Sequence, residues 1–227
     1  MKHFELEQKE GIFILTMTNK DNTFTIDILN ELDALIDEIE NHKGNCSLLI
    51  TSNYEKTWST GINLDWYLPL PENEKAKFKW LMEKVLARIA LLDMPTIAAI
   101  NGNAYAGGAI MASGMDFRFM RADRGRYCFP EITVKIPFTD VFMEIVKVIP
   151  APVLEEMLFT GRPLGGEECF ARNVVHKIFS KEELFDESFK VAKLMAEKDR
   201  NTYKVTKLFY KKALHKVYLE HLKNPIK

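Results

Sequence analysis

Two stretches of this 227-residue chain combine residue types and spacing that suit the stabilisation of negative charge on a ligand. The first leads from Leu49-Ile50-Thr51 to Trp58-Ser59-Thr60-Gly61. The second leads from Ile97-Ala98-Ala99-Ile100 to Asn101-Gly102-Asn103-Ala104-Tyr105-Ala106-Gly107-Gly108. Each leaves a short apolar run, read as a buried strand, through a glycine turn where a helix can start. Glycine lets the backbone approach a ligand closely. Free amides at a helix start favour negative charge. Two such amides on one oxygen make an oxyanion hole, where a single donor lowers a barrier by roughly 3 kcal/mol. Taken singly, each turn reads equally well as a tight turn with close helix packing. No GxxxxGK[ST] or strand-GxGxxG pattern occurs, so a mononucleotide site has little support. Ser59 and Cys128 lack a motif-bound histidine to activate them as nucleophiles. The histidines His3, His42, His176, His215 and His221 show no metal-ligand spacing, and no metal is expected.

The elements that must position these turns are those of one α/β domain. Residues 3–8 and 11–18 read as strands around Lys9-Glu10-Gly11. Ile28, Leu29, Leu32, Leu35, Ile36 and Ile39 recur at helical spacing and predict a helix from about Thr25 to His42, ended at Gly44. Residues 53–72 read as a loop, with a helix over about 73–92 stopped by Pro95. Strands over 117–121 and 126–129 precede two short helices within 139–159. Ser180 with Glu183 predicts a capped helix to about Lys198. One amphipathic helix over about 203–222 is expected to end the fold. Residues 1–200 are read as the core, and 201–227 as a basic helix packing on it or on a neighbouring subunit. That last stretch has seven lysines against one acid, Glu220. An ordinary solvated lysine face explains it, as does docking of acidic groups.

Composition narrows the classes. Apolar residues make up 47% and charged residues 28%, and the net charge is −1, so neither disorder nor a global field toward nucleic acid is indicated. No apolar run is long enough for a membrane span. Three widely spaced cysteines, Cys46, Cys128 and Cys169, suit reduced thiols rather than a disulfide framework. The end Asn224-Pro225-Ile226-Lys227 is not an SKL-type signal, and a cytoplasmic protein is expected.

The motifs, taken in order, resemble the enoyl-CoA hydratase/isomerase (crotonase) superfamily. Trp58-Ser59-Thr60-Gly61-Ile62-Asn63-Leu64 is similar to its F-S-A-G-x-D-L, and Asn101 to Ala109 is similar to its N-G-x-x-x-G-G-G. Asp116, Tyr127-Cys128-Phe129-Pro130-Glu131-Ile132 and Leu158-Phe159-Thr160-Gly161-Arg162 follow in the family's order, over about residues 4–200. The resemblance implies a spiral of β-β-α units with C-terminal helices, and a homotrimer or dimer of trimers. It implies an acyl-CoA thioester as substrate, with no other cofactor; the near-zero net charge and the merely local basic stretch speak against a nucleic-acid partner.

Carried over residue by residue, it implies that the amides of Thr60 and Gly107 hold the thioester oxygen. Ser59, Gly61, Gly108, Ile110, Trp66 and Phe138 would line the substrate site. Tyr67, Leu68, Leu70 and Phe142 share the choice between lining an acyl tunnel and simple packing. The family's hydratases use two glutamates. One position is Ile110 here, which moves no proton; the other is Glu131. One base beside an oxyanion hole suits proton relocation from carbon 2 to carbon 4 of a 3-enoyl-CoA, as in the family's Δ3,Δ2-enoyl-CoA isomerases. Burial is expected to raise the Glu131 pKa toward neutrality. On its own, a Pro-Glu pair reads as a solvated carboxylate. Asp116 is expected to be structural. Asp140 or Glu144 would be a second carboxylate if their helix lines the site, which keeps a hydratase open. A catalytically inactive acyl-CoA binder is the alternative outside the enzymes.

Overall fold

The computed structural model describes residues 2–226. A six-stranded sheet takes the order Phe4–Lys9, Ile12–Met17, Ser47–Ser52, Thr96–Ile100, Phe117–Arg121, Lys177–Phe179. Its first pair is antiparallel and the rest are parallel. The middle strands are buried on both faces, as covered parallel strands must be. Successive residues therefore serve two cores. Leu48, Ile50, Ala98 and Ile100 face the larger one, while Leu49, Ile97 and Ala99 face a smaller one under the helix Lys181–Ala196.

A four-stranded sheet takes the order Leu164–Gly165, Arg126–Cys128, Asn103–Tyr105, Thr57–Ser59. Three times the chain runs from a strand of the large sheet to one of the small sheet and on to a helix. Ser47–Ser52 leads to Thr57–Ser59 and then to Glu72–Leu91; Thr96–Ile100 leads to Asn103–Tyr105 and then Gly107–Gly114. Phe117–Arg121 leads to Arg126–Cys128 and then Glu131–Val134. This is the β-β-α spiral, and the glycine turns lie where the small sheet hands over to helices. A third pairing, Thr23–Phe24 beside Gly61–Ile62, is parallel.

Local signals account for most elements. Thr25 caps the helix Ile26–Asn41 by accepting the Ile28 N–H at 3.4 Å, and Ile28, Leu29, Leu32, Ile36 and Ile39 are its buried stripe. Ser180 and Glu183 form the full capping box. Asn173 takes φ +59° after the helix Gly166–Ala171, the left-handed turn that asparagine tolerates. The segment read as a loop holds the short strands Thr57–Ser59 and Gly61–Ile62 and the helix Leu64–Tyr67.

The chain's end differs from the expected single helix. Arg200–Tyr210 and Lys212–Leu222 are two helices meeting at Lys211. The Lys211 ammonium turns inward, donating to the carbonyls of Ala90 at 2.9 Å and Gly114 at 2.6 Å and pairing with Asp116 at 3.2 Å. Lys207 is also buried, on Met94 O and Asp116, both at 2.6 Å. Two of the seven lysines thus anchor the segment rather than form a solvated face. Among the described residues no helix is long and apolar enough to cross a membrane.

Candidate active site

The two glycine turns meet. A Cβ placed on Gly61 would lie 2.5 Å from the Gly107 nitrogen, and one on Gly108 would lie 2.2 Å from the Ser59 carbonyl oxygen. Such distances admit no side chain, so Gly61 and Gly108 bring two backbones together instead of touching a ligand themselves. Ser59 is likewise fully buried, donating its hydroxyl to the Asn22 carbonyl at 2.7 Å.

Beside this junction lies a cavity of about 430 Å³. Its wall includes Thr60, Ile62, Gly107, Ile110, Glu131 and Phe142, with Met82 and Tyr105 also contributing. Gly107 opens the helix Gly107–Gly114, whose first amides have no acceptor within the helix. The preceding residue, Ala106, holds φ +48° and ψ −125°, and its N–H donates to Cys128 O at 3.0 Å. That conformation is unusual for a residue with a Cβ, and it turns the chain abruptly into the helix.

The Thr60 amide does not face the cavity as expected. It donates to the Asp21 carbonyl at 3.1 Å, and the Thr60 hydroxyl donates to the same oxygen at 3.1 Å. The next amide in the strand, that of Ile62, is placed differently. Gly61–Ile62 pairs with Thr23–Phe24, and the Asn63 N–H donates to Phe24 O at 3.1 Å. Successive amides of an extended strand point to opposite edges. The Ile62 N–H is therefore directed away from Phe24, on the strand whose residue lines the cavity. Ile62 and Gly107 thus each bring a main-chain amide to the cavity wall.

Opposite chemistry comes from Glu131, the first residue of the short helix Glu131–Val134 that follows Pro130. Its Oε2 is buried with no hydrogen-bond partner among the described residues. Burial pushes its carboxyl up to about 7, against a weaker lowering by its own backbone N–H. Such a group exchanges a proton near neutral pH. Ile110, nearly fully buried, presents only hydrocarbon to the cavity.

Other expected residues fall elsewhere. Trp66 packs edge-on against Phe78 at 5.2 Å between centroids, and Phe138 against Phe129 at 5.7 Å; neither belongs to the cavity wall. Tyr67 is buried against Phe78, and Leu68 is exposed. Of the aromatic candidates, Phe142 lines the cavity. Asp140 lines a separate cleft with Glu83 and His221, and Glu144 pairs with Lys147, so neither carboxylate reaches the cavity. Asp65, exposed on the helix Leu64–Tyr67, does line it, although no motif singled it out. Cys128 donates its thiol to Gly161 O at 3.1 Å, and burial pushes that thiol up to about 11, so it is no ready nucleophile. No histidine belongs to the cavity wall among the described residues.

Asp116 is structural, as expected. Its carboxylate accepts from the Thr96 amide at 3.0 Å and the Tyr203 hydroxyl at 3.0 Å, besides Lys207 and Lys211. Burial alone would raise this carboxyl; the two ammonium groups overcome that and hold it low.

Comparison with known proteins agrees with this geometry. The family model "Enoyl-CoA hydratase/isomerase" matches residues 7–225. Enoyl-CoA delta isomerase 3 of Arabidopsis thaliana is 33% identical over 176 residues, 75% of this chain and 74% of the relative. Short-chain-enoyl-CoA hydratase of Clostridium acetobutylicum is 28% identical over 189 residues, 82% of this chain and 72% of the relative. An enoyl-CoA hydratase/isomerase family protein from Pseudomonas syringae superposes with a TM-score of 0.89 at 20% identity, covering 97% of this chain and 95% of that one. With its β-β-α spiral, its meeting glycine turns and a family match over nearly its whole length, the chain belongs to the enoyl-CoA hydratase/isomerase family, the crotonase superfamily of enzymes.

Proposed function

We propose that the protein shifts the double bond of a 3-enoyl-CoA to the 2-trans position. The observation that carries this reading is one carboxylate with a buried, unpartnered oxygen, Glu131, in the same cavity wall as a hydrocarbon side chain, Ile110. The thioester oxygen accepts hydrogen bonds from the amides of Ile62 and Gly107. Glu131, ionised, removes a proton from carbon 2. The electron pair spreads over carbons 2 to 4 and onto the thioester oxygen as a dienolate. Charge grows on that oxygen in the transition state, where fixed amides stabilise it most. The protonated Glu131 then delivers the proton to carbon 4. No water is added, and apolar walls at Ile62, Ile110, Val134 and Phe142 help exclude it. The resemblance to a named delta isomerase supports the same reading.

A base is needed at the start, so activity rises with pH through about 7, the Glu131 value, and then levels. The direct test is ultraviolet absorbance with two substrates. With trans-3-hexenoyl-CoA, conjugation to the thioester raises absorbance. Crotonyl-CoA loses absorbance only if water adds. A rise with the first and no change with the second is expected. A fall with crotonyl-CoA would replace the isomerase with a hydratase, and Asp65 is the second carboxylate that the cavity offers. Silence with both, together with acyl-CoA binding, would make the protein an inactive binder.

The reading extends to a homotrimer or dimer of trimers. Large side chains left on the surface, Phe159, Phe209 and Tyr210, support subunit packing, and sedimentation velocity tests it. Three unpaired cysteines support the cytoplasm as its location.

A further inference from the structure

Asp21 and Asn22 are consecutive residues with positive φ, +60° and +44°. Aspartate and asparagine enter this region more readily than most, yet two in succession persist only where the surroundings hold them. Here the surroundings are the segment that leads to the oxyanion strand. The Asn22 side chain is buried, and its Nδ2 donates to Ser52 Oγ at 2.8 Å and to Trp58 O at 2.9 Å. The Asn22 carbonyl accepts the Ser59 hydroxyl at 2.7 Å. The Asp21 carbonyl accepts both the amide and the hydroxyl of Thr60, each at 3.1 Å. Asn22 Oδ1 is buried with no partner among the described residues. A flipped amide would forfeit both donated bonds, so the two ties outweigh that orphan.

We propose that Asn22 is a positioning residue of the oxyanion hole. The turn it holds delivers Thr23–Phe24 alongside Gly61–Ile62, and that pairing decides which edge the Ile62 N–H faces. The bonds to Trp58, Ser59 and Thr60 fix the same segment from its other end. Asn22 does not line the catalytic cavity. Its effect on the reaction passes through the backbone. The inference rests on the enolate reading above, since it matters only if the Ile62 amide holds a developing oxyanion.

Two variants test it. Asn22→Gly permits the left-handed turn and deletes both side-chain donors. Ser59→Ala deletes the hydroxyl bonded to the Asn22 carbonyl, and it carries the test if the first variant does not fold. The probe is acetoacetyl-CoA, a 1,3-dicarbonyl thioester that absorbs in the near ultraviolet once ionised. Butyryl-CoA, which stays un-ionised, reports ground-state binding. The expected result is a weakened enolate band per bound acetoacetyl-CoA. The kcat on trans-3-hexenoyl-CoA should fall at least tenfold, with KM and the Kd for butyryl-CoA within about threefold of the parent. Wild-type bands and rates in the variants would overturn the inference. So would butyryl-CoA binding lost in step with kcat, which is the mark of a merely structural residue. If the parent ionises acetoacetyl-CoA but isomerises nothing, the isomerase reading fails and the band alone decides the role of Asn22. If the parent does not ionise it, the hole and its positioning residue fall together.

Discussion

Glu131 and Asp116 are both carboxylates shielded from water, and they are held in opposite ways. Asp116 sits in the clasp that ties the C-terminal helices to the core, among two ammonium groups, a phenol and a backbone amide. Glu131 faces an apolar cavity with one oxygen unpartnered. Partners hold the first carboxyl low, and bare burial raises the second to about 7. Desolvation acts on both; only compensation differs. The clasp uses its charge to hold a segment in place, whereas in the proposed mechanism the cavity keeps its carboxylate ready to take a proton.

The contrast can be broken most forcefully at the cavity. Glu131→Gln should lower kcat about 10³-fold while acyl-CoA binding stays near wild type. Steady-state kinetics with a binding titration checks this, and unchanged turnover would remove Glu131 from the mechanism. Next in size is the clasp. Asp116→Ala leaves the Lys207 and Lys211 ammonium groups buried without their counter-ion, and should destabilise the fold by roughly 3 kcal/mol. Denaturant unfolding measures that loss, and turnover per folded molecule should persist.

A third experiment sharpens the comparison through pH. The Glu131 carboxyl has a folded value of about 7 against an ordinary 4.5, so its neutral form is favoured by the fold. Its contribution is fully present below about 4.5 and is lost as pH rises through 7. At pH 8 Glu131→Gln should therefore be the more stable protein, by roughly 3 kcal/mol, with the gap closing near pH 4. Asp116 has the opposite sign. Its folded value is depressed, so its contribution is present above the ordinary 3.8 and lost in acid. Thermal melts of both variants across pH should move in opposite directions. The smallest effect is at Ala106, whose φ of +48° disfavours any side chain. Ala106→Gly should stabilise by about 1 kcal/mol, visible as a modest rise in melting temperature.

Much of this was legible from residue types. Glycines at 61, 107 and 108 mark the two backbones that meet, whereas Ile110 and Glu131 were legible only through the family resemblance, because a Pro-Glu pair alone reads as a solvated carboxylate. Ser180 with Glu183, and Asn173, announce a helix start and a helix end through local chemistry alone. What escaped depends on partners distant in sequence. Choosing between the amides of Thr60 and Ile62 requires knowing that Asp21 and Phe24 pair with that segment. The aromatic residues Trp66 and Phe138 suit a tunnel wall as well as a packed layer, and Phe78 and Phe129 decide for packing. The break at Lys211 follows from acceptors at Ala90, Gly114 and Asp116, which no helical period of the C-terminal segment reveals.

The meeting of the two turns has a consequence for how such a site can change over generations. In the proposed mechanism the oxygen-binding donors are main-chain groups, so no codon specifies them directly. Substitution at 62 alters the cavity's shape and leaves the N–H in place. At 61 and 108 a single added carbon would strike backbone at 2.5 and 2.2 Å, and the geometry would be lost. Mutational freedom is thus unevenly distributed: nearly none in the glycines that join the scaffold, and more in wall positions such as 110, which on the proposed reading choose which proton moves. If the proposed mechanism holds, a lineage can trade one acyl-CoA reaction for another by revising a few wall residues while inheriting unchanged the main-chain donors that stabilise an enolate.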